Sequence, residues 1–217
     1  GGPSMRRIVT TAVLAALTAA PALAEQTLEG VANATYQLDP NHSFLTFNVT
    51  HNGISTYTVY FTDFDATLDF NSEDPTASTL NLTINPAALE SNYPADYKAG
   101  HPNSEFESWN DALANDDRFL QADEFGEITF TSTSAEMTGD FTGTVTGDLS
   151  FRGETRPVTL DVTYNGVANP PWMGERDTIG FTASTIIDRT EFGMDALQGV
   201  ISNDVAIEFS GEFIENE

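Results

Sequence analysis

The sequence predicts an all-β chain whose strands close into an antiparallel barrel or stack as a sandwich. Three observations carry this. Apolar and polar residues alternate with a period of two in run after run, as they do in strands with one buried face. Turn formers such as Asp39-Pro40-Asn41, Asn52-Gly53 and Asn85-Pro86 punctuate the runs. Helical spacing appears in a single mid-chain stretch, so seven to nine strands make up nearly everything else. Eight strands of the barrel type are enough to hold one small ligand.

The chain has 217 residues with 40% hydrophobic content, enough for one domain with a sizeable core. Gly1 to Ser4, ahead of Met5, read as a remnant of tag removal. Residues 5–24 have the form of a secretory signal peptide. Arg6 and Arg7 precede an apolar run that ends in the small-residue site Ala22-Leu23-Ala24. The expected location is therefore the periplasm. Were the leader retained, Val13 to Leu17 would be expected to dock on an apolar surface of this or a neighbouring barrel, at the ligand entrance.

Residues 25–34 form a polar lead-in to one domain over 35–217. Tyr36-Gln37-Leu38 predicts a first short strand, ended by Asp39-Pro40-Asn41. Leu45, Phe47, Val49 and His51 then share one face. Tyr57, Val59 and Phe61 occupy odd positions, whereas Phe64, Ala66, Leu68 and Phe70 occupy even ones. That change of parity predicts a bulge or sharp bend near Thr62-Asp63. Leu80, Leu82 and Ile84 give another strand.

Ser91 to Asn103 reads as a surface loop. Ser104-Glu105-Phe106-Glu107 then resembles a capping box, which predicts a helix from about Glu105 to Ala114 carrying Phe106, Trp109 and Leu113. Ile128 and Phe130 begin the next strand. Thr146 to Val162 predicts a hairpin: Val145, Leu149 and Phe151 on one arm, Val158, Leu160 and Val162 on the other, joined by Arg152 to Arg156. Asn165 to Asp177 is expected to be a long connection. Ile179, Phe181 and Ala183 start a strand in which Ile186-Ile187 marks an irregularity, and Glu191 to Met194 is a loop. Val205, Ile207, Phe209, Gly211 and Phe213 form the last strand.

Chemical motifs are scarce. The sequence carries no G-x-S-x-G, P-loop, H-E-x-x-H or G-x-G-x-x-G, and without cysteine it has neither disulfides nor thiolate metal ligands. No catalytic residue, metal site or cofactor is expected. His42, His51 and His101 match no metal-ligand spacing, and Asp63 and Asp65 read as solvated charge. The 33 acidic residues face only eight basic ones, for a net charge of −25. Such a surface repels nucleic acid and anionic membranes at long range, and acts as a solubility device.

The apolar inventory is more informative. Fifteen phenylalanines outnumber six tyrosines and two tryptophans, so much of the interior has no polar handle. The inward positions Phe47, Val49, Phe61, Phe64, Leu68, Leu82, Ile84, Phe130, Leu149, Phe151, Leu160, Phe181 and Phe209 are the candidate ligand-binding set. The same periodicity fits a packed core and a lined tunnel, and both stand on the sequence alone.

Six stretches in register resemble the YceI-like proteins. They are Asp39 to Ser43, Phe47 to Ser55, Phe61 to Phe70, Ile128 to Ser132, Gly153 to Val158 and Ile186 to Met194. The resemblance implies a closed antiparallel lipocalin-like barrel, exported to the periplasm, that encloses a long polyisoprenoid as carrier or store and is not an enzyme. One or two short helices are expected in the insertion from Asn92 to Leu113, which would lid the cavity or alter ligand choice. The expected partners are an isoprenoid lipid, a second copy of the chain, and a membrane or membrane protein in transient contact. Only six basic residues follow the leader, too few to favour a pyrophosphate head, so a neutral head such as a quinone is expected. The alternative is a haem- or metal-associated electron-transfer accessory using His42 or His51.

Overall fold

The computed structural model describes residues 24–217. The leader, and the docking expected of it, lie outside the described residues. No helix among them is long and apolar enough to cross a membrane.

Ten strands form one antiparallel sheet: β1 (Ala34–His51), β2 (Ser55–Phe61), β3 (Phe64–Phe70), β4 (Thr79–Ile84), β5 (Leu89–Glu90), β6 (Ile128–Met137), β7 (Thr142–Phe151), β8 (Glu154–Ala168), β9 (Thr178–Asp188) and β10 (Asp204–Glu215). Their order is β10-β9-β8-β7-β6-β4-β3-β1-β2-β5, and β10 also pairs with β1. That last pairing closes a ring of eight strands, so the barrel is closed and the sandwich is excluded. Closure pairs both edges of most strands; the outer edge of β2 meets only β5, at Tyr60 and Phe61.

The expected short first strand is instead the lower half of β1, which runs on to His51. Pro40 has no N–H for the ladder, and the β1–β10 register shifts between Leu38 and Ser43. The side chain of Asp39 repairs the break by accepting from Asn41 N at 2.9 Å, while Ser43 Oγ donates to the Asp39 carbonyl at 2.7 Å. The same edge of β1 pairs with β3 below this bulge and with β2 above it. β2 and β3 are thus two halves of one bent strand. The bend at Thr62-Asp63 is the one that the parity change predicts.

The hairpin of β7 and β8 has a tighter turn than expected. Phe151 pairs directly with Glu154, leaving only Arg152 and Gly153 in the loop. Their φ values of 50° and 76° fit the turn type whose twist matches a hairpin. Arg156 therefore lies in the strand. β8 also continues to Ala168, which shortens the expected 165–177 connection. Ile186 and Ile187 are no irregularity: β9 stays in register with β10, Ile186 points outward and Ile187 is buried.

In the insertion, α1 (Tyr97–Gly100) forms inside the stretch expected to be a loop, and α2 (Trp109–Asn115) starts later than expected. The operative cap is Ser108, whose Oγ accepts from Asp111 N at 3.0 Å, while Asp111 accepts from Glu107 N at 2.9 Å. Ser104 Oγ instead accepts from Phe106 N and shares a hydrogen bond of 3.0 Å with Tyr97 Oη. Arg189 to Phe192 form a 3-10 turn where a loop was expected.

The interior holds two apolar clusters along the barrel. One gathers Leu45, Val59, Phe61, Phe130 and Phe151 with Leu113 of the insertion and with Phe119 and Leu120 just after it. The other gathers Tyr36, Leu38, Leu68, Phe70, Tyr164 and Phe213 at the far end. The lead-in is fastened there: Glu25 N donates to Val167 O at 3.0 Å, and Val31 is buried.

Candidate functional site

A cavity of about 490 Å³ occupies the end of the barrel covered by the insertion, and its wall is overwhelmingly apolar. Ten of the thirteen candidate residues line it: Phe47, Val49, Phe61, Leu82, Ile84, Phe130, Leu149, Phe151, Leu160 and Phe209. Leu68 and Phe181 do not. They line a second cavity of about 140 Å³ towards the far end, with Phe70, Phe141 and Tyr164. Leu80, Leu160, Ala183, Phe209 and Phe213 belong to both walls and form the partition between them. Phe64 lines neither cavity. It stands just past the Thr62-Asp63 corner and packs between the two clusters.

Two glycines keep the larger cavity open. A methyl group on Gly147 would lie 2.5 Å from Phe130 Cζ, and one on Gly211 would lie 2.6 Å from Phe209 Cζ. Each ring therefore lies over a missing side chain, against the wall instead of across the lumen.

Several lining residues escaped the sequence reading. Leu45, Val59 and Ile207 share the parity of their chosen neighbours and were legible by the same rule. Tyr93, Trp109 and Leu113 reach the cavity from the insertion, and Phe119 and Leu120 from the segment just after it. The expected helix already carried Trp109 and Leu113, and the aromatic residues around it form a contiguous cluster: Trp109 lies 6.0 Å from Tyr93, 5.9 Å from Tyr97 and 5.8 Å from Phe119. The insertion is thus a roof on the cavity.

Every cation outside the leader already donates to a protein acceptor. Arg189 lines the cavity but is 1% exposed, and it donates to the carbonyls of Met194, Ala196 and Ser202 at 2.6, 2.7 and 2.9 Å. Arg152 donates to the carbonyls of Asp117, Phe119, Phe192 and Gly193. Burial pulls both guanidinium groups below their ordinary pKa, though an arginine remains charged throughout. Arg156 donates to Glu191 O and Arg176 to Met173 O and Glu215 O. Lys98 donates to Ser104 O and lies 3.3 Å from Glu107, and Arg118 holds Asp116 at 2.6 Å. The Arg118 contact keeps the Asp116 carboxyl below the usual carboxylate range.

The histidines stand in three different places. His42 meets Asp39 at 2.8 Å beside the β1 bulge, and that hydrogen bond raises its pKa. With Glu212 it forms the one group of metal-capable side chains found among the described residues. His51 stands at the cavity mouth, and His101 stacks on Tyr97 with ring centroids 4.4 Å apart. Asp63 and Asp65 are exposed and accept from Asn85 and Gln37.

A family model described as the YceI-like domain matches residues 36–213, from the lower end of β1 almost to the end of β10. The chain belongs to the YceI-like family. Curated relatives agree. A UPF0312 protein of Pseudomonas putida is 33% identical over 186 residues, covering 85% of this chain and 88% of the relative. Protein YceI of Salmonella arizonae is 31% identical over the same shares. Among solved structures, BcnA of Burkholderia cenocepacia superposes with a TM-score of 0.66 at 18% identity, over 82% of this chain and 99% of its own. A polyisoprenoid binding domain from Saccharophagus degradans gives 0.53 at 15% identity, over 86% and 100%. Both share the YceI-like barrel fold.

Proposed function

We propose that this YceI-like protein is an exported carrier or store that encloses a long isoprenoid chain with a neutral, quinone-like head, and that it acts by binding, not by catalysis. The observation that carries this is an apolar cavity in a chain whose six cations outside the leader are all engaged by backbone carbonyls or carboxylates. Burying apolar chain contributes about 0.8 kcal/mol per methylene, whereas a typical hydrogen bond contributes ~1 kcal/mol net, so each isoprene unit outweighs a single polar contact. A pyrophosphate would need several positive or N–H donors, and recruiting Arg152 or Arg189 would strip carbonyls of their partners. The name of the Saccharophagus domain, a polyisoprenoid binder, supports the ligand class. The leader over 5–24 supports export, and transient membrane contact and pairing with a second copy belong to the same proposal.

Native mass spectrometry of the protein purified from periplasm tests this. A neutral isoprenoid retained in the barrel is the expected result. A bound polyprenyl phosphate would overturn the neutral head, and recovery from the cytoplasm with an uncleaved leader would overturn export.

A further inference from the structure

Resting on the proposal that the cavity holds an isoprenoid, one polar contact at its roofed end bears on which head group enters with the tail. Trp109 Nε1 lies 2.7 Å from Tyr57 Oη. An indole N–H only donates, so the phenolic oxygen is the acceptor and its own hydrogen must point elsewhere. No acceptor for that hydrogen exists among the described residues, and Tyr57 lines the cavity, half-buried, beneath the insertion. Accepting a hydrogen bond from Trp109 polarises the Tyr57 O–H and makes it a stronger donor. Meanwhile Arg189, the cation in the cavity wall, is consumed by carbonyls of its own loop. The cavity therefore offers a fixed hydroxyl donor in an apolar wall, an arrangement that orients a ligand by one acceptor atom.

We propose that Tyr57, positioned by Trp109, donates its phenolic hydrogen to a carbonyl oxygen of the quinone head proposed above, and so fixes how that head sits beneath the roof. Trp109 is contributed by α2, so the insertion that roofs the cavity also orients the head group.

The test uses delipidated protein and two probes: a benzoquinone bearing an isoprenoid tail, and squalene, an isoprenoid hydrocarbon with no head. Both are measured by displacement of an apolar fluorophore. Tyr57→Phe is expected to weaken the quinone about three- to tenfold, the effect of one hydrogen bond, and to leave squalene unchanged. The infrared carbonyl band of the bound quinone should lie at lower frequency in the wild type than in Tyr57→Phe, a shift that a merely structural role would not produce. Trp109→Phe should cause a smaller loss, again for the quinone alone. Unchanged quinone affinity in Tyr57→Phe, or an equal loss for squalene, would overturn the proposal. If squalene binds the wild type and the quinone does not, the head assignment fails alone; if neither binds, the isoprenoid site fails with it.

Discussion

The guanidinium of Arg152 holds the backbone of Gly193, with Nη2 donating to its carbonyl oxygen at 3.1 Å. The same side chain reaches the carbonyls of Asp117 and Phe119, just after the insertion. One residue at the tip of a two-residue hairpin turn, itself at positive φ, ties the roof of the cavity to the 3-10 turn that follows β9. A cation available to greet an anionic ligand would need free donors, and this one spends them on structure.

Replacing Arg152 with Met keeps the aliphatic stem and removes those bonds. The expected cost is roughly 2–4 kcal/mol, since several carbonyls lose a charged donor. Urea unfolding measures it, and hydrogen exchange at Leu120 and Ala122, whose amides bond back to α2, should accelerate. Unchanged stability would mean that the turn and not its side chain holds the roof.

Phe130 and Phe151 are 3% and 7% exposed and line the larger cavity. Changing each to Leu should destabilise the fold by about 1 kcal/mol per site, well below the 3–5 kcal/mol of a change to Ala. Isoprenoid retention should fall severalfold in the double variant, measured by native mass spectrometry beside the unfolding curve. Full retention at reduced stability would place both rings in the core without a role in the ligand wall.

Phe209 belongs to the partition between the two cavities. Phe209→Leu should open the passage and shift the bound lipids towards longer tails. The distribution of tail lengths recovered from the variant checks this, and a distribution identical to the wild type would mean that the partition does not limit the tail.

Tyr36 is fully buried and lies 3.4 Å from Asp177, and Tyr164 is 6% exposed. Burial, aided by the Asp177 charge, raises both hydroxyl pKa values, that of Tyr164 to about 12 against an ordinary 10.0. The unfolded chain therefore ionises first. Stability should hold below pH 10 and fall from pH 10 to 12, by about 1.4 kcal/mol per pH unit for each tyrosine. Urea midpoints across that range, with Tyr164→Phe showing a shallower loss, check the sign.

Alternation of side chains tells inside from outside, and it placed Phe47, Phe130 and Phe151 on the inner face. It carries no information on height along the barrel axis, so Leu68 and Phe181 share the inward parity yet face the far chamber. The corner at Thr62-Asp63 was legible because a bend must break parity. The start of α2 was not, because Ser104 and Ser108 both suit a cap and tertiary contacts between Trp109, Tyr57 and Phe119 decide which one is used. Arg152 was legible as a charge in a turn, whereas its carbonyl partners lie more than thirty residues away in sequence. The stretches that carried the family resemblance sit largely where strands bend or end: the Asp39 bulge, the Thr62 corner, the Arg152 turn and the Arg189 turn. They mark how this barrel is closed more than what it holds.

The rings of Phe130 and Phe209, laid over Gly147 and Gly211, have a mechanical consequence. Internal space that side chains do not fill is eliminated on unfolding, and hydrostatic pressure favours whichever state has the smaller volume. A delipidated barrel should therefore unfold at lower pressure than a loaded one, even where their thermal midpoints are close. Gly147→Ala, whose methyl group would press on both the Phe130 ring and the Thr131 carbonyl, should narrow that gap by filling space in the wall. Compressibility thus becomes a gauge of cargo, set by two residues that have no side chain at all.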